Sequence, residues 1–165
     1  MSGAMIVVFA LLAFVAVTIF KGVRIVPQGY KWIVQRLGKY HTTLSPGLNF
    51  VIPYVDEVAY KVTTKDIVLD IPSQEVISRD NAVLLMNAVA YINLTTPEKA
   101  VYGIENYVWA IQNLVQTSLR SITGEMSLDD ALSSRDHIKA KLKAAISDDI
   151  SDWGITLKTV EIQDI

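Results

Sequence analysis

The alternation of apolar and polar positions changes character twice along the chain. From Ala4 to Phe20 every residue except Thr18 is apolar and none is charged. Beyond Val23 the apolar residues come in short runs, rich in β-branched and aromatic types and broken by Gly and Pro, which is strand-like. From Thr96 they recur every three or four positions, as on one face of a helix, until Gly154. A last strand-like run closes the chain.

Seventeen helical residues from Ala4 to Phe20 span about 25 Å, slightly under the ~30 Å of a bilayer's hydrocarbon core. Gly22 and Val23 extend the run, and Lys21 can carry its amine outward along its own stem. A secretory signal would open with positive charge and end in a small-x-small cleavage site, and neither is present. A buried core helix would carry polar positions or a cap, for which Thr18 is the sole candidate. The stretch is read as a membrane anchor over residues 1–24, with Ala4, Phe9, Leu12, Phe14 and Phe20 in lipid and Lys21 and Arg24 at its boundary. A re-entrant or interfacial helix is the open alternative. Lys21, Arg24, Lys31 and Arg36 all follow the run and nothing basic precedes it, so the positive-inside rule puts the N-terminus outside and the remainder in the cytoplasm, at a cell's inner (plasma) membrane.

Strands are predicted at VRIVP, at Tyr30–Leu37, at DEVAYKV, at DIVLDI with Ile67, Leu69 and Ile71 on one face, and at QEVIS. Ser45-Pro46-Gly47 is a tight-turn sequence, and Pro27, Gly29 and Gly38 punctuate the strands before it. Arg79-Asp80-Asn81 reads as a hairpin into AVLLMNAVAYINL, which is apolar on both faces and is expected to be a central, doubly covered strand.

Helical signals then take over. Thr96-Pro97-Glu98 offers a hydroxyl cap, a proline at the first helical position and an acid at the positive end of a short helix stopping near Gly103. Asn106 caps a second, with Val108, Ile111, Val115, Leu119 and Ile122 in one stripe ending at Gly124. Ser127 and Asp130 have capping-box spacing. A last helix is expected from about Arg135 to Trp153, with Ile138, Leu142, Ala145, Ile146 and Ile150 inward, stopped by Gly154. In the closing ITLKTVEIQDI the apolar phase shifts between Leu157 and Val160, which predicts a bulge or burial on both sides. Strands and helices are segregated, so the fold class is α+β. The expected organisation is an anchor over 1–24, a β-rich membrane-proximal part over 25–96 and an α/β part over 97–165.

Charge refines this picture. The 15 basic and 17 acidic residues all lie at or after Lys21. Between Lys21 and Lys65 seven bases face only Asp56 and Glu57, whereas from Asp66 onward fifteen acids face eight bases. A basic segment beside an apolar anchor suits anionic headgroups, each Lys or Arg near the surface contributing about 1 kcal/mol; chance clustering on a solvated surface is the alternative. There is no cysteine, which excludes disulfides, thiolate metal sites and a cysteine nucleophile.

Catalytic patterns are missing. The chain holds no phosphate-binding GxxxxGK, no dinucleotide GxGxxG and no GxSxG elbow. His41 and His137, the two histidines, have no partner pattern for a metal or a triad. Asp148, Asp149 and Asp152 lack the spacing of a calcium loop. No basic stripe interleaved with aromatics points to nucleic acid. The expectation is no enzyme, no cofactor, no metal and no nucleic-acid partner.

One charge pattern stands out. On the last predicted helix Arg135, Lys139 and Lys143 follow one another a turn apart at the N-terminal end, and Asp148 and Asp152 do so at the C-terminal end. Both placements oppose the helix dipole. Either this is a solvated face, or the basic half of one subunit lies against the acidic half of the next in a head-to-tail ring.

With those residues in view, a resemblance emerges. IVPQGYKWIVQRLGKY with LSPGLNFVIPYVDEV, then IPSQEVISRDNAVLLMNAVAYINLTTPEKA, then LVQTSLRSITGEMSLDDALSSRD and DDISDWGITLKTVEIQDI resemble, in order, the stomatin/prohibitin/flotillin/HflK-C (SPFH, or band 7) domain. IPSQEVISRDNA and the single anchor look most like the bacterial paraslipin type. The resemblance covers about residues 25–165 and implies a non-enzymatic scaffold that forms large homo-oligomeric rings or cages, organises membrane lipids and microdomains, and in several cases associates with membrane-bound ATP-dependent proteases. The positions it carries over are structural: Pro27, Gly29, Gly38, Pro46, Gly47, Pro72, Trp153 and Gly154. Ser45 replaces the first glycine of the family's Gly-Pro-Gly. Relatives continue into a coiled-coil-forming region where this chain stops at Ile165, so it is either a fragment or assembles differently. Two other functions compete with the scaffold: a dedicated regulator of one membrane protease, and a membrane-bound hydrolase with an unrecognised site.

Overall fold

The computed structural model describes residues 3–164; Met1, Ser2 and Ile165 of the expected anchor and closing strand lie outside the described residues. The described residues separate into two compact units that divide between Thr63 and Thr64.

In the first unit, helix α1 (Gly3–Gly22) runs into strand β1 (Val23–Val26). Strands β2 (Tyr30–Arg36), β3 (Lys39–Leu44), β4 (Gly47–Phe50) and β5 (Asp56–Thr63) follow. β1 and β4 form an antiparallel ribbon, and β3-β2-β5 a three-stranded antiparallel sheet. The segment from Lys39 to Phe50, expected only to contain a turn, thus supplies two strands flanking that turn. Val26, Val34, Leu44 and Val51 make a small core, with Trp32 and Val58 packed on it. Two-residue hairpin geometry joins β2 to β3, with Leu37 at φ 50° and Gly38 at φ 81°.

The second unit is a sheet in the order β6-β7-β8, all antiparallel, formed by β6 (Ile67–Ile77), β7 (Val83–Leu94) and β8 (Ile155–Asp164). DIVLDI and QEVIS are not two strands but one. Pairing with β7 jumps from Ile71↔Ala88 to Gln74↔Met86, so Pro72 and Ser73 bulge out of an edge strand, where a residue without an N–H is tolerated. β7 is central, as its two-faced apolarity predicts, but it is not doubly covered. Leu84, Met86, Ala88, Ala90, Ile92 and Leu94 are buried on one face, whereas on the other only Val89 is buried and Val83 and Leu85 are exposed, because the helices cover a single side of the sheet. The phase shift in β8 is a bulge: Tyr91 faces Thr159 and Ile92 faces Leu157, leaving Lys158 unpaired and returning Val160 and Ile162 to the buried face.

Helices α2 (Pro97–Gly103), α3 (Tyr107–Gly124), α4 (Leu128–Ser133) and α5 (Arg135–Ser151) lie between β7 and β8 in sequence. α3 packs on β6, α5 on β8, and the two helices on each other. Ile111, Val115, Leu119 and Ile122 of α3 and Ile138, Leu142, Ile146 and Ile150 of α5 are buried, as are Met86, Ala88, Ala90 and Ile92 of β7. Ala145 is exposed, not inward, because it stands one step off the i, i+4 stripe of α5. Asn106 Oδ1 accepts from Trp109 N–H and Ser127 Oγ from Asp130 N–H, as helix caps should. Thr96 makes no such side-chain bond; its carbonyl and the proline at N1 begin α2 instead. Buried Gln74 donates to the Gln116 carbonyl and accepts from Arg120, tying β6 to α3.

Candidate membrane-facing site

α1 is an uninterrupted helix of 20 residues, about 30 Å long at 1.5 Å per residue. Within the described residues it is the one helix long and apolar enough to cross a bilayer, and 0% of its apolar window is buried. Phe9, Leu12, Phe14 and Phe20 are all exposed, Phe20 by 80%. Ala4 is exposed too, and Lys21 and Arg24 follow at the C-terminal end. In water such a surface is unfavourable at about 25 cal/mol per Å² of apolar area.

The apolar surface continues past the helix. In the β1–β4 ribbon Val23 stands opposite Phe50 and Ile25 opposite Leu48, so these four side chains share one face. All four are exposed, Leu48 by 76%. The opposite face carries Val26 into the small core. After β4 the segment Val51–Val55 runs back along α1: Val51 N–H donates to the Gly22 carbonyl at 2.8 Å, and the Tyr54 ring stacks parallel to Phe14 at 6.4 Å. Phe14 lies eight residues before Gly22, about 12 Å down the helix axis.

Gly22 makes this junction possible. A Cβ there would lie 2.6 Å from the Val51 carbonyl oxygen and 2.7 Å from the Phe50 ring. Sequence reasoning treated Gly22 only as an extension of the apolar run. Its one visible signal is a glycine between Lys21 and Val23, at the switch from helical to strand pattern.

Beside the junction a groove of about 660 Å³ is lined by Arg24, Trp32, Leu37, Tyr54, Glu57 and Lys61, among others. Lys61 Nζ lies 4.5 Å over the Trp32 ring, from the directly opposed position on β5. Asp56, also on the groove, is held by Arg36, whose Nε and Nη2 donate to the two carboxylate oxygens at 2.6 and 3.0 Å. The Ile52 N–H donates to the same carboxylate at 3.0 Å. The guanidinium first and this amide next keep the Asp56 pKa low, at about 2.

The turn residues lie where turns are needed. Gly29, Gly38 and Gly47 take positive φ at the β1–β2, β2–β3 and β3–β4 connections, with Pro27 and Pro46 just before the first and last. Gly154 ends the last helix at φ 69°, and its carbonyl accepts from the N–H groups of both Thr95 and Thr96. A Cβ on Gly154 would stand 2.4 Å from the Thr96 carbonyl oxygen.

The charged residues of α5 divide. Lys139 pairs with Glu161 on β8, which draws the Glu161 carboxyl below its usual range, and Lys143 Nζ donates to the Lys158 carbonyl at 3.3 Å. Arg135, Asp148 and Asp152 make no ion pair among the described residues. A further carboxylate, Asp80 in the β6–β7 hairpin, was read only as a turn residue. It accepts from Ser78 Oγ and from the Leu128 N–H at 3.1 Å, capping α4 from outside the helix, and both bonds lower its pKa. No group of three metal-ligating side chains occurs among the described residues.

An exposed apolar helix joined without a break to a small β unit, with a three-stranded sheet and packed helices beyond it in the chain, defines a membrane-associated α+β protein. Comparison with known families gives the class its name: residues 24–165 match the SPFH domain / Band 7 family, and the chain belongs to it. Members of this family are non-catalytic scaffolds. The chain is 39% identical over 140 residues to mitochondrial stomatin-like protein 2 of Homo sapiens, covering 85% of this chain and 39% of that protein. It is 41% identical over 147 residues to an uncharacterised protein of Methanocaldococcus jannaschii, covering 89% and 73%. An uncharacterised protein of Mycobacterium tuberculosis is 35% identical over 162 residues, 98% of this chain and 41% of the relative. The chain thus spans about two fifths of the length of the first and third of these proteins.

Proposed function

We propose that the protein is a single-pass membrane scaffold whose copies assemble laterally into homo-oligomeric rings or cages, organising lipid and protein neighbours around them. The observation that carries this reading is the continuity of α1 with the apolar face of the β1–β4 ribbon, which binds each copy to one plane. Confinement to a plane raises effective concentration, so weak lateral contacts suffice for assembly. The basic residues after α1 favour the cytoplasmic side for the folded part. The order of motifs around IPSQEVISRDNA and the identity to mitochondrial stomatin-like protein 2 favour a paraslipin-like member. Lateral contacts would use α5, where Arg135 on one copy can meet Asp148 and Asp152 on the next. Regulation of a membrane-bound protease is a second reading within the same class; one stoichiometric protease on co-purification would favour it.

The test is direct. The full chain, expressed in cells, should stay with membranes through a carbonate wash, resist protease from outside, and appear as large particles in negative stain after detergent extraction. Release by carbonate would remove the anchor, and monodisperse monomers in mild detergent would remove the ring.

A further inference from the structure

We infer that the groove beside the end of α1 is a headgroup site for an amine-bearing phospholipid: Arg24 and Lys61 take the phosphodiester, Glu57 the primary ammonium, and Leu37 and Tyr54 the glycerol end. This rests on the reading that α1 lies in a bilayer.

The groove has the charges such a headgroup needs. Of its two carboxylates, Asp56 is already satisfied by Arg36 and the Ile52 amide. Glu57 is exposed and has no partner among the described residues, which leaves one negative charge for a cation. Arg24 also has no ion pair there, and Lys61 has only the Trp32 face, so two positive charges remain for a phosphate. Two cations and one carboxylate match a phosphodiester with an ammonium arm better than a lone anion.

Position favours a lipid over a soluble phosphate. Arg24 is two residues beyond the end of α1, and Tyr54 both lines the groove and stacks on Phe14 of that helix. Leu37 adds a second argument. It is 84% exposed and takes φ 50° in a two-residue turn, where Asn or Asp would be at ease. A strained, exposed leucine on the wall of a groove is accounted for by an apolar ligand. Choline headgroups prefer open aromatic faces, and the Trp32 face is taken by Lys61, so a hydrogen-bonding primary amine fits Glu57 better.

The full chain in phosphatidylcholine nanodiscs, with the Trp32 indole resonance assigned through Trp32→Phe, is titrated with dihexanoyl phosphatidylethanolamine, dihexanoyl phosphatidylglycerol, free phosphoethanolamine and inorganic phosphate. The ethanolamine lipid should shift the resonance saturably, with at least tenfold weaker binding for the other three. Arg24→Gln with Lys61→Gln should weaken it at least tenfold, Glu57→Gln should abolish the preference over phosphatidylglycerol, and Leu37→Asn should raise the melting temperature while weakening binding. Undiminished binding by the double variant, or an unchanged preference in Glu57→Gln, overturns the site; phosphoethanolamine binding as tightly as the lipid reassigns it to a soluble ligand and overturns the lipid reading. If the double variant fails to fold, Glu57→Gln decides alone, since its side chain is exposed. Carbonate resistance of the same wild-type protein separates the two readings: a wild type that washes off refutes the anchor, whereas one that stays but shows no headgroup preference refutes only the groove.

Discussion

Asp56 shows how one side chain can tie a small core together. Its carboxylate is 3% exposed and receives a forked guanidinium and a loop amide, linking the tip of β2, the start of β5 and the segment after β4. Because its pKa in the folded chain is about 2, below the ordinary carboxylate value of ~3.9, the stabilisation it gives is full above about pH 4. It should fade as pH falls toward 2. Acid titration followed by Trp32 fluorescence should show this loss in the wild type, and Asp56→Asn should start less stable and give a flatter profile over that window. Gly154 is a second such point. Gly154→Ala combines a positive φ with a contact 2.4 Å from a backbone oxygen, and should destabilise the second unit by at least about 1–3 kcal/mol in denaturant unfolding. The glycine was visible in the sequence as a helix stop; that it must also let the Thr95 and Thr96 amides reach its carbonyl was not, because the two segments are nearly sixty positions apart.

At the scale of elements, periodicity carried most of the information. The stripes of α3 and α5 are buried almost as their spacing requires, and Ile146, 0% exposed, is the kind of position where truncation leaves a cavity: Ile146→Ala should cost about 2–5 kcal/mol, read from the denaturation midpoint. The bulge in β8 was legible because two apolar phases in one strand admit few solutions. Pairing partners were not legible. β3 is made of KYHTTL, whose exposed polar majority gives no strand signal, and it exists because β2 offers it a register. DIVLDI and QEVIS read as two strands on either side of Pro72, yet an edge strand absorbs a proline by bulging. The hydroxyl of Thr96 looked like a cap by residue type alone, and type does not fix a rotamer.

For the whole molecule, the anchor and the fold class were readable because length, absence of charge and segregation of strands from helices are properties of the chain itself. The groove beside the end of α1 was not, since Arg24, Glu57 and Lys61 meet only after β1, β4 and β5 are in place. Assembly belongs to this scale too. With Lys139 and Lys143 engaged on β8, the proposed ring contact would fall to those charges of α5 that make no ion pair among the described residues, Arg135, Asp148 and Asp152. Arg135→Glu should shift detergent-extracted particles toward smaller species by light scattering, and adding Asp148→Lys should restore their size; a variant that assembles normally without the compensating change would remove this contact.

The packing at Gly22 has a mechanical consequence. With the Val51 amide bonded to its carbonyl and the Phe50 ring pressed where a side chain would be, there is no room for a swivel between the spanning rod and the ribbon that follows. Any tilt that a thinner or thicker bilayer imposes on the rod is therefore passed on as rotation of the ribbon, instead of being absorbed in a linker.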